Sequence, residues 1–313
     1  MKAVSILLCA ATLTFITPAA AEDTLKIAVP QRGAWDTSIS EIGQKAGIFK
    51  KHGLNLDLLF TGAGAEVIGG IIGGSVDLSV ASGISTVIGG YGKGAPLRIF
   101  SSEMASQPEI YWFVLANSPI KTLADMNGKT FGYSAAGSSS HAALLALLAQ
   151  EKVNAEPTAL GGVTASITAG MSGQVDAAWS AMPYGLKDLE EGKIRIIARA
   201  ADIKVLQGRT VRVNMTSAST LATKKDQLER YMAGYKEAID YMYSSPEALK
   251  MYAEIANVPL SIAQKMQTLV PRESTNPDQI VGMDSIVAEA VATKFLSAPL
   301  TKEQVAELVR IQK

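Results

Sequence analysis

The feature that most limits the possible folds is a repeated alternation of short apolar runs with helical runs. Residues 25–30, 54–60, 76–80 and 97–101 read as strands. Helices are expected over 37–47, up to Ile72, and from Gly83 toward Tyr91. Alternation at this spacing argues for parallel βαβ units, hence an α/β fold. A second series follows, with strands expected over 109–117, near Phe131, and over 155–160, 175–179 and 194–199. The two series share a local signature. Gly74-Ser75-Val76-Asp77 and Gly173-Gln174-Val175-Asp176 each place Gly, a polar residue and Val-Asp ahead of an apolar run. Residues 210–215 alternate again as a strand, and the remainder is expected to be helical over 224–244, 246–256, 260–270, 277–295 and 301–311.

Two similar series imply two lobes, with the second inserted in the first. The expected division is lobe 1 at 22–110 plus 210–313 and lobe 2 at 111–209. Extended segments near 110–116 and 210–215 are the expected crossings, which make a hinge with a cleft between facing strand ends. Three strands of the first series end in small-residue turns, at Gln31 to Trp35, Thr61 to Gly64 and Ala81 to Gly83. If the strands are parallel, these turns share the sheet edge where α/β folds bind ligands.

The second series contains the most informative stretch, FGYSAAGSSSHAALLALLAQ from Phe131 to Gln150. A short strand runs into a Gly/Ala turn, then Ser138, Ser139 and Ser140, then a helix. Serine before an apolar helical run is an N-cap signal. Free amides and the positive dipole end make such a helix start an anion site.

The N-terminus reads as a secretory leader over 1–21: Lys2, an apolar stretch from Ala3 to Ile16, a break at Thr17-Pro18, and Ala19-Ala20-Ala21 before Glu22. The single cysteine, Cys9, falls inside it. A mature chain would have neither disulfides nor a thiol nucleophile. No later stretch reaches the ~18 apolar residues of a membrane span, so a soluble periplasmic product is expected. Lys2 is the only charged residue before Glu22, which leaves 28 basic and 29 acidic residues in a chain starting there. That balance speaks against a nucleic-acid surface. His52 and His141, the only histidines, lie outside HExxH spacing, and neither a GxSxG elbow nor a P-loop is present. No metal, cofactor or catalytic group is expected.

Five segments carry a further signal: Ala46-Gly47-Ile48-Phe49-Lys50-Lys51-His52-Gly53-Leu54, Gly74-Ser75-Val76-Asp77-Leu78, Leu123 to Gly132, Gly137-Ser138-Ser139-Ser140-His141, and Gly173-Gln174-Val175-Asp176-Ala177. In these the chain resembles the substrate-binding proteins of bacterial ABC importers, specifically the nitrate/sulfonate/taurine-type group that includes thiamine-pyrimidine-precursor binders. The resemblance spans nearly all of the expected mature chain. It implies a two-lobed type II periplasmic binding fold, no enzymatic activity, a small ligand, and delivery to an inner-membrane permease. It also implies that Ser82 and Gly83 form a ligand-contact turn.

The remaining candidates come from the residues themselves. Arg32 is the basic residue of the strand-end turns and could pair with a carboxylate or sulfonate. Gly64 permits close approach in the second turn. Trp35 and Trp179, one per lobe, could sandwich a ligand body. Met182 suits an apolar wall, and Asn214 could hydrogen-bond a ligand. A small organic anion is therefore the expected ligand, a neutral pyrimidine-like compound the alternative. Presentation to a sensor is the alternative to import, and a monomer is expected.

Overall fold

A computed structural model describes residues 22–61 and 65–311. The expected leader and the turn at 62–64, with Gly64, lie outside the described residues. Among the described residues ten strands form in chain order: β1 (Asp23–Pro30), β2 (Leu54–Thr61), β3 (Leu78–Gly83), β4 (Leu97–Ala105), β5 (Ile110–Leu115), β6 (Thr130–Tyr133), β7 (Glu156–Ala159), β8 (Ala178–Ala181), β9 (Ile194–Arg199) and β10 (Thr210–Ser217).

The first sheet has the order β2-β1-β3-β10-β4. β1, β2 and β3 are parallel, and β10 runs antiparallel to both β3 and β4. β8-β5-β9 and β6-β7 meet through a parallel bridge between Phe131 and Ala177. There Gly132 N donates to Ala177 O at 2.8 Å and Ala177 N to Thr130 O at 3.1 Å. The second order is therefore β7-β6-β8-β5-β9, the first order repeated. In each sheet one strand is antiparallel to its neighbours, β10 in the first and β5 in the second.

Both faces of the first sheet are covered, as its parallel strands require. Leu25, Ile27 and Val29 enter a core with Phe49, Tyr231 and Tyr235, while Ala28 faces another with Val67 and Ile88. The second sheet divides in the same way: Trp112 and Phe131 pack with Leu144, and Tyr111 and Phe113 with Ala178.

The repeated Val-Asp signature has one structural job in both sheets. Asp77 Oδ2 accepts from Lys26 N at 2.9 Å, and Asp176 Oδ2 accepts from Thr130 N at 2.9 Å. Each aspartate thus ties the segment entering β3 or β8 to the neighbouring strand, β1 or β6.

Two sequence expectations shift. The segments taken as crossings, near 110–116 and 210–215, lie within single sheets as β5 and β10, each paired with a strand on both sides. The chain passes between sheets at 106–109 and 207–209. The helix expected over 277–295 begins only at Met283. Ahead of it, Pro277 O accepts from Ser102 N and Val281 O accepts from Thr210 N, so the backbone there serves the sheet. Gly282, at φ 81°, then turns the chain into the helix.

Candidate functional site

The carboxyl ends of β1, β3, β6 and β8 meet at a cavity of about 50 Å³. One water occupies roughly 10–15 Å³ on this measure, so the space suits a compact solute. Residues of both sheets line it. Pro30 ends β1 and Gln31 and Asp36 follow it, Ala81 and Gly83 end β3, and Arg212 projects from β10. From the other side come Ser134 and Ser138–Ser140 after β6 and Trp179 and Ala181 of β8. Glu109 lies on the connection between sheets.

The walls touch. Thr86 N donates to Gly137 O at 3.1 Å, and Gln107 Nε2 donates to Ser139 O at 3.2 Å. A Cβ on Gly83 would lie 2.7 Å from Gly137 O and 2.8 Å from Ser139 N. Only glycine permits that approach, for reasons of space rather than backbone angle, since φ is −57°. The Tyr184 hydroxyl also donates to the carbonyl of Arg32 across the cleft.

Arg212 is the electrostatic centre. Its Nη1 donates to Asp36 Oδ2 and its Nη2 to Glu109 Oε1, both at 2.6 Å, and Nε donates to Ser139 Oγ at 3.2 Å. All three charged side chains are buried. Burial disfavours the Arg212 cation, but Asp36 and Glu109 outweigh it and hold its pKa above the ordinary value. Burial pushes the Glu109 carboxyl up, Arg212 pulls it down, and Asp36 adds to the rise. Behind them Glu103, on β4, is pushed well up by burial and then by Asp36. Such an ion cluster belongs at a functional site more readily than in a stability argument, because its desolvation cost is large.

The helix Ser139–Glu151 starts at this cavity, as the sequence suggests. Ser138 is its N-cap, accepting from His141 N at 3.2 Å. Ser140 Oγ accepts from Ser134 N at 3.0 Å. The first helical amides, on Ser139 and Ser140, have no acceptor within the helix by geometry.

Of the candidates named from sequence, Gly83, Ser138, Ser139, Ser140 and Trp179 line the cavity. Ser82 lines a small adjoining cavity and bonds Ser79 Oγ at 3.1 Å. The others sit elsewhere. Arg32, with its side chain 52% exposed, pairs with Glu41 at 2.6 Å and lies over the Phe60 ring. Trp35 is core: it donates to Tyr243 OH at 2.9 Å and packs edge-on against Tyr252. The expected tryptophan sandwich therefore does not form. Met182 packs against the apolar core, and Asn214 is a buried sheet residue whose Oδ1 accepts from Ala81 N at 3.3 Å. Gly64 lies outside the described residues.

Sequence reasoning missed Asp36, Glu109 and Arg212. The sequence carries little signal for them: Arg212 occupies the polar phase of the alternating strand TVRVNM, where a solvated charge is the ordinary reading.

The sequence profile of the NMT1/THI5-like family matches residues 41–249. The chain belongs to this family. A Brucella abortus (strain 2308) chain named "Putative binding protein BAB2_1146" is 25% identical over 252 residues, 79% of this chain and 76% of that one. Among solved structures, the alkanesulfonate-binding protein SsuA from Xanthomonas axonopodis pv. citri, bound to MOPS, superposes with a TM-score of 0.73. It shares 19% identity and covers 94% of this chain and 97% of its own. The periplasmic aliphatic sulphonate binding protein SsuA from Escherichia coli gives 0.70, with 22% identity over 93% of this chain and 92% of its own. The fold of this family member is thus that of a periplasmic binding protein. Among the described residues, no helix is long and apolar enough to cross a membrane.

Proposed function

We propose that this chain captures a small solute in the periplasm and hands it to an inner-membrane ABC permease, as a monomer and without catalysing a reaction. The observation that carries this reading is the cavity itself. It lies between the strand ends of two sheets of the same order and is lined from both. A ligand held there touches both walls, so it favours the closed arrangement over an open one. The short connections at 106–109 and 207–209 supply the hinge, with lobe 1 at 22–110 plus 210–313 and lobe 2 at 111–209. The leader at 1–21 directs export.

The expected organic anion, a carboxylate or sulfonate, keeps one support, the helix start at Ser138–Ser140. It loses Arg32, which pairs with Glu41 away from the cavity. The ligand class is better read from the cavity lining.

A thermal-shift screen of the mature protein tests the solute-binding reading, using sulfonates, carboxylates, nitrate, pyrimidines, amines and amides. A solute that binds only the folded state at a hundredfold over its Kd stabilises by about 2.7 kcal/mol. At least one class is expected to raise Tm. Silence across every class would remove the reading.

A further inference from the structure

We infer that the cleft selects a compact solute of zero or positive net charge that donates an N–H to Glu109 and offers an acceptor to Trp179. The inference rests on the solute-binding reading and names the chemistry of that same site.

Two atoms carry it. Trp179 Nε1 and Glu109 Oε2 are buried and have no hydrogen-bond partner among the described residues. Their residues are 1% and 2% exposed, and both line the one cavity. Buried polar atoms are nearly always partnered, so each orphan asks for an explanation. The two are opposite in kind. Indole N–H only donates, and a carboxylate oxygen only accepts. A single occupant satisfies both only if it carries an acceptor and a donor. The acceptor end also suits the first-turn amides of Ser139 and Ser140, on the same cavity.

Charge decides the donor. The lining holds two carboxylates, Asp36 and Glu109, and one guanidinium, Arg212. Arg212 already donates from Nη1, Nη2 and Nε to Asp36, Glu109 and Ser139. An entering anion therefore meets an excess of negative charge with the cation already engaged. A protonated amine or amidine neutralises that excess, and an amide N–H completes the Glu109 bonds without adding charge. Low local dielectric enlarges the difference.

The test uses five probes of one size: propylamine, propionamide and propionamidine against propionate and propanesulfonate. Each is titrated calorimetrically into the full mature protein at pH 7.5. The nitrogen donors are expected to bind, with the two anions at least tenfold weaker. In Glu109→Gln, which keeps the shape and removes the charge, amine and amidine affinity should fall about tenfold or more. In Trp179→Phe the amide should weaken by more than propylamine, which has no acceptor. Melting temperatures without probe report whether each variant folds. If Glu109→Gln does not fold, the pH profile of the wild type replaces it: amine affinity should fall as pH drops and Glu109 is protonated. Binding of the anions alone would overturn the inference and leave the solute-binding reading standing. Unchanged amine affinity in Glu109→Gln, or a flat pH profile, would also overturn it. Silence toward all five overturns it too, and the solute-binding reading falls only if the wider screen is silent as well.

Discussion

Glu103 offers the sharpest quantitative check on the electrostatics beneath the cleft. It is fully buried on β4, Oε1 accepts from Tyr235 OH at 3.0 Å, and Oε2 has no partner among the described residues. Burial, then Asp36, pushes its carboxyl well above the ordinary 4.5, against the opposing pull of Arg212. In the unfolded chain the group titrates near its ordinary value. Between that value and the folded one, the native state holds a proton that the unfolded state lacks. Stability is therefore fully present below the unfolded pKa and is lost as pH rises, at ~1.4 kcal/mol per pH unit. The loss accumulates over the whole interval between the unfolded and the folded value. Glu103→Gln keeps the shape, retains an acceptor for Tyr235 and does not titrate. The variant should match the wild type near the ordinary value of 4.5 and exceed it progressively as pH rises, by up to ~1.4 kcal/mol per pH unit. Urea unfolding followed by tryptophan fluorescence, at half-unit steps from pH 5 to 7.5, measures the gap directly. Other groups titrate alike in both proteins and cancel in the difference. A gap that stays constant, or shrinks as pH rises, would show that Glu103 is ionised in the folded protein and would refute the reasoning.

Three further predictions follow from single contacts. Gly83→Ala puts a methyl group against the backbone of residues 137–139, so it should weaken solute binding by about tenfold, or ~1.4 kcal/mol, and raise the small-angle scattering radius of the liganded protein, while urea stability hardly changes. His141 is held neutral by burial, its pKa lowered to about 4, stacked on Tyr133 and edge-on to Phe295. Its contribution to stability is present above the unfolded value of 6.5 and is lost as pH falls from there toward 4; His141→Phe should flatten that part of the pH profile, and an unchanged slope would count against it. Asp176→Ala removes the acceptor of Thr130 N and Oγ1 and should cost about 1–3 kcal/mol in urea melts, whereas a loss below 0.5 kcal/mol, the scale of ordinary surface changes, would mean that the repeated Val-Asp signature is not a tie between strands.

The fold was legible because its determinants are local and repeated. Apolar runs of strand length, glycine stops and serine caps each act within a few residues. The Val-Asp repeat even exposed the correspondence between β3 and β8, whose aspartates make the same bond to Lys26 and Thr130. What failed was the reading of positions whose meaning depends on partners far along the chain. Trp35 follows a strand end, as a cleft aromatic should, yet Tyr243 and Tyr252 from the helical tail enclose it. Arg32 lies in the right turn, yet Glu41, nine residues on, captures it at the surface.

The cleft charges were illegible for the same reason in its strongest form. Asp36, Glu109 and Arg212 are separated by 73 and 103 positions and come from a post-strand turn, a crossing and a strand. None carries a motif, and each alone reads as an ordinary surface charge. Burial changes their meaning, because a guanidinium in a sheet interior needs carboxylates, and carboxylates beside a cavity set the sign of what enters it. Serines and a helix start can be read forward from sequence, and they suggest an anion. The long-range charges act on the same few ångströms in the opposite sense. A site whose local signals favour one ligand charge and whose long-range signals favour the other holds best a solute with an acceptor at one end and a donor at the other. That is the pairing which the orphan atoms of Trp179 and Glu109 require.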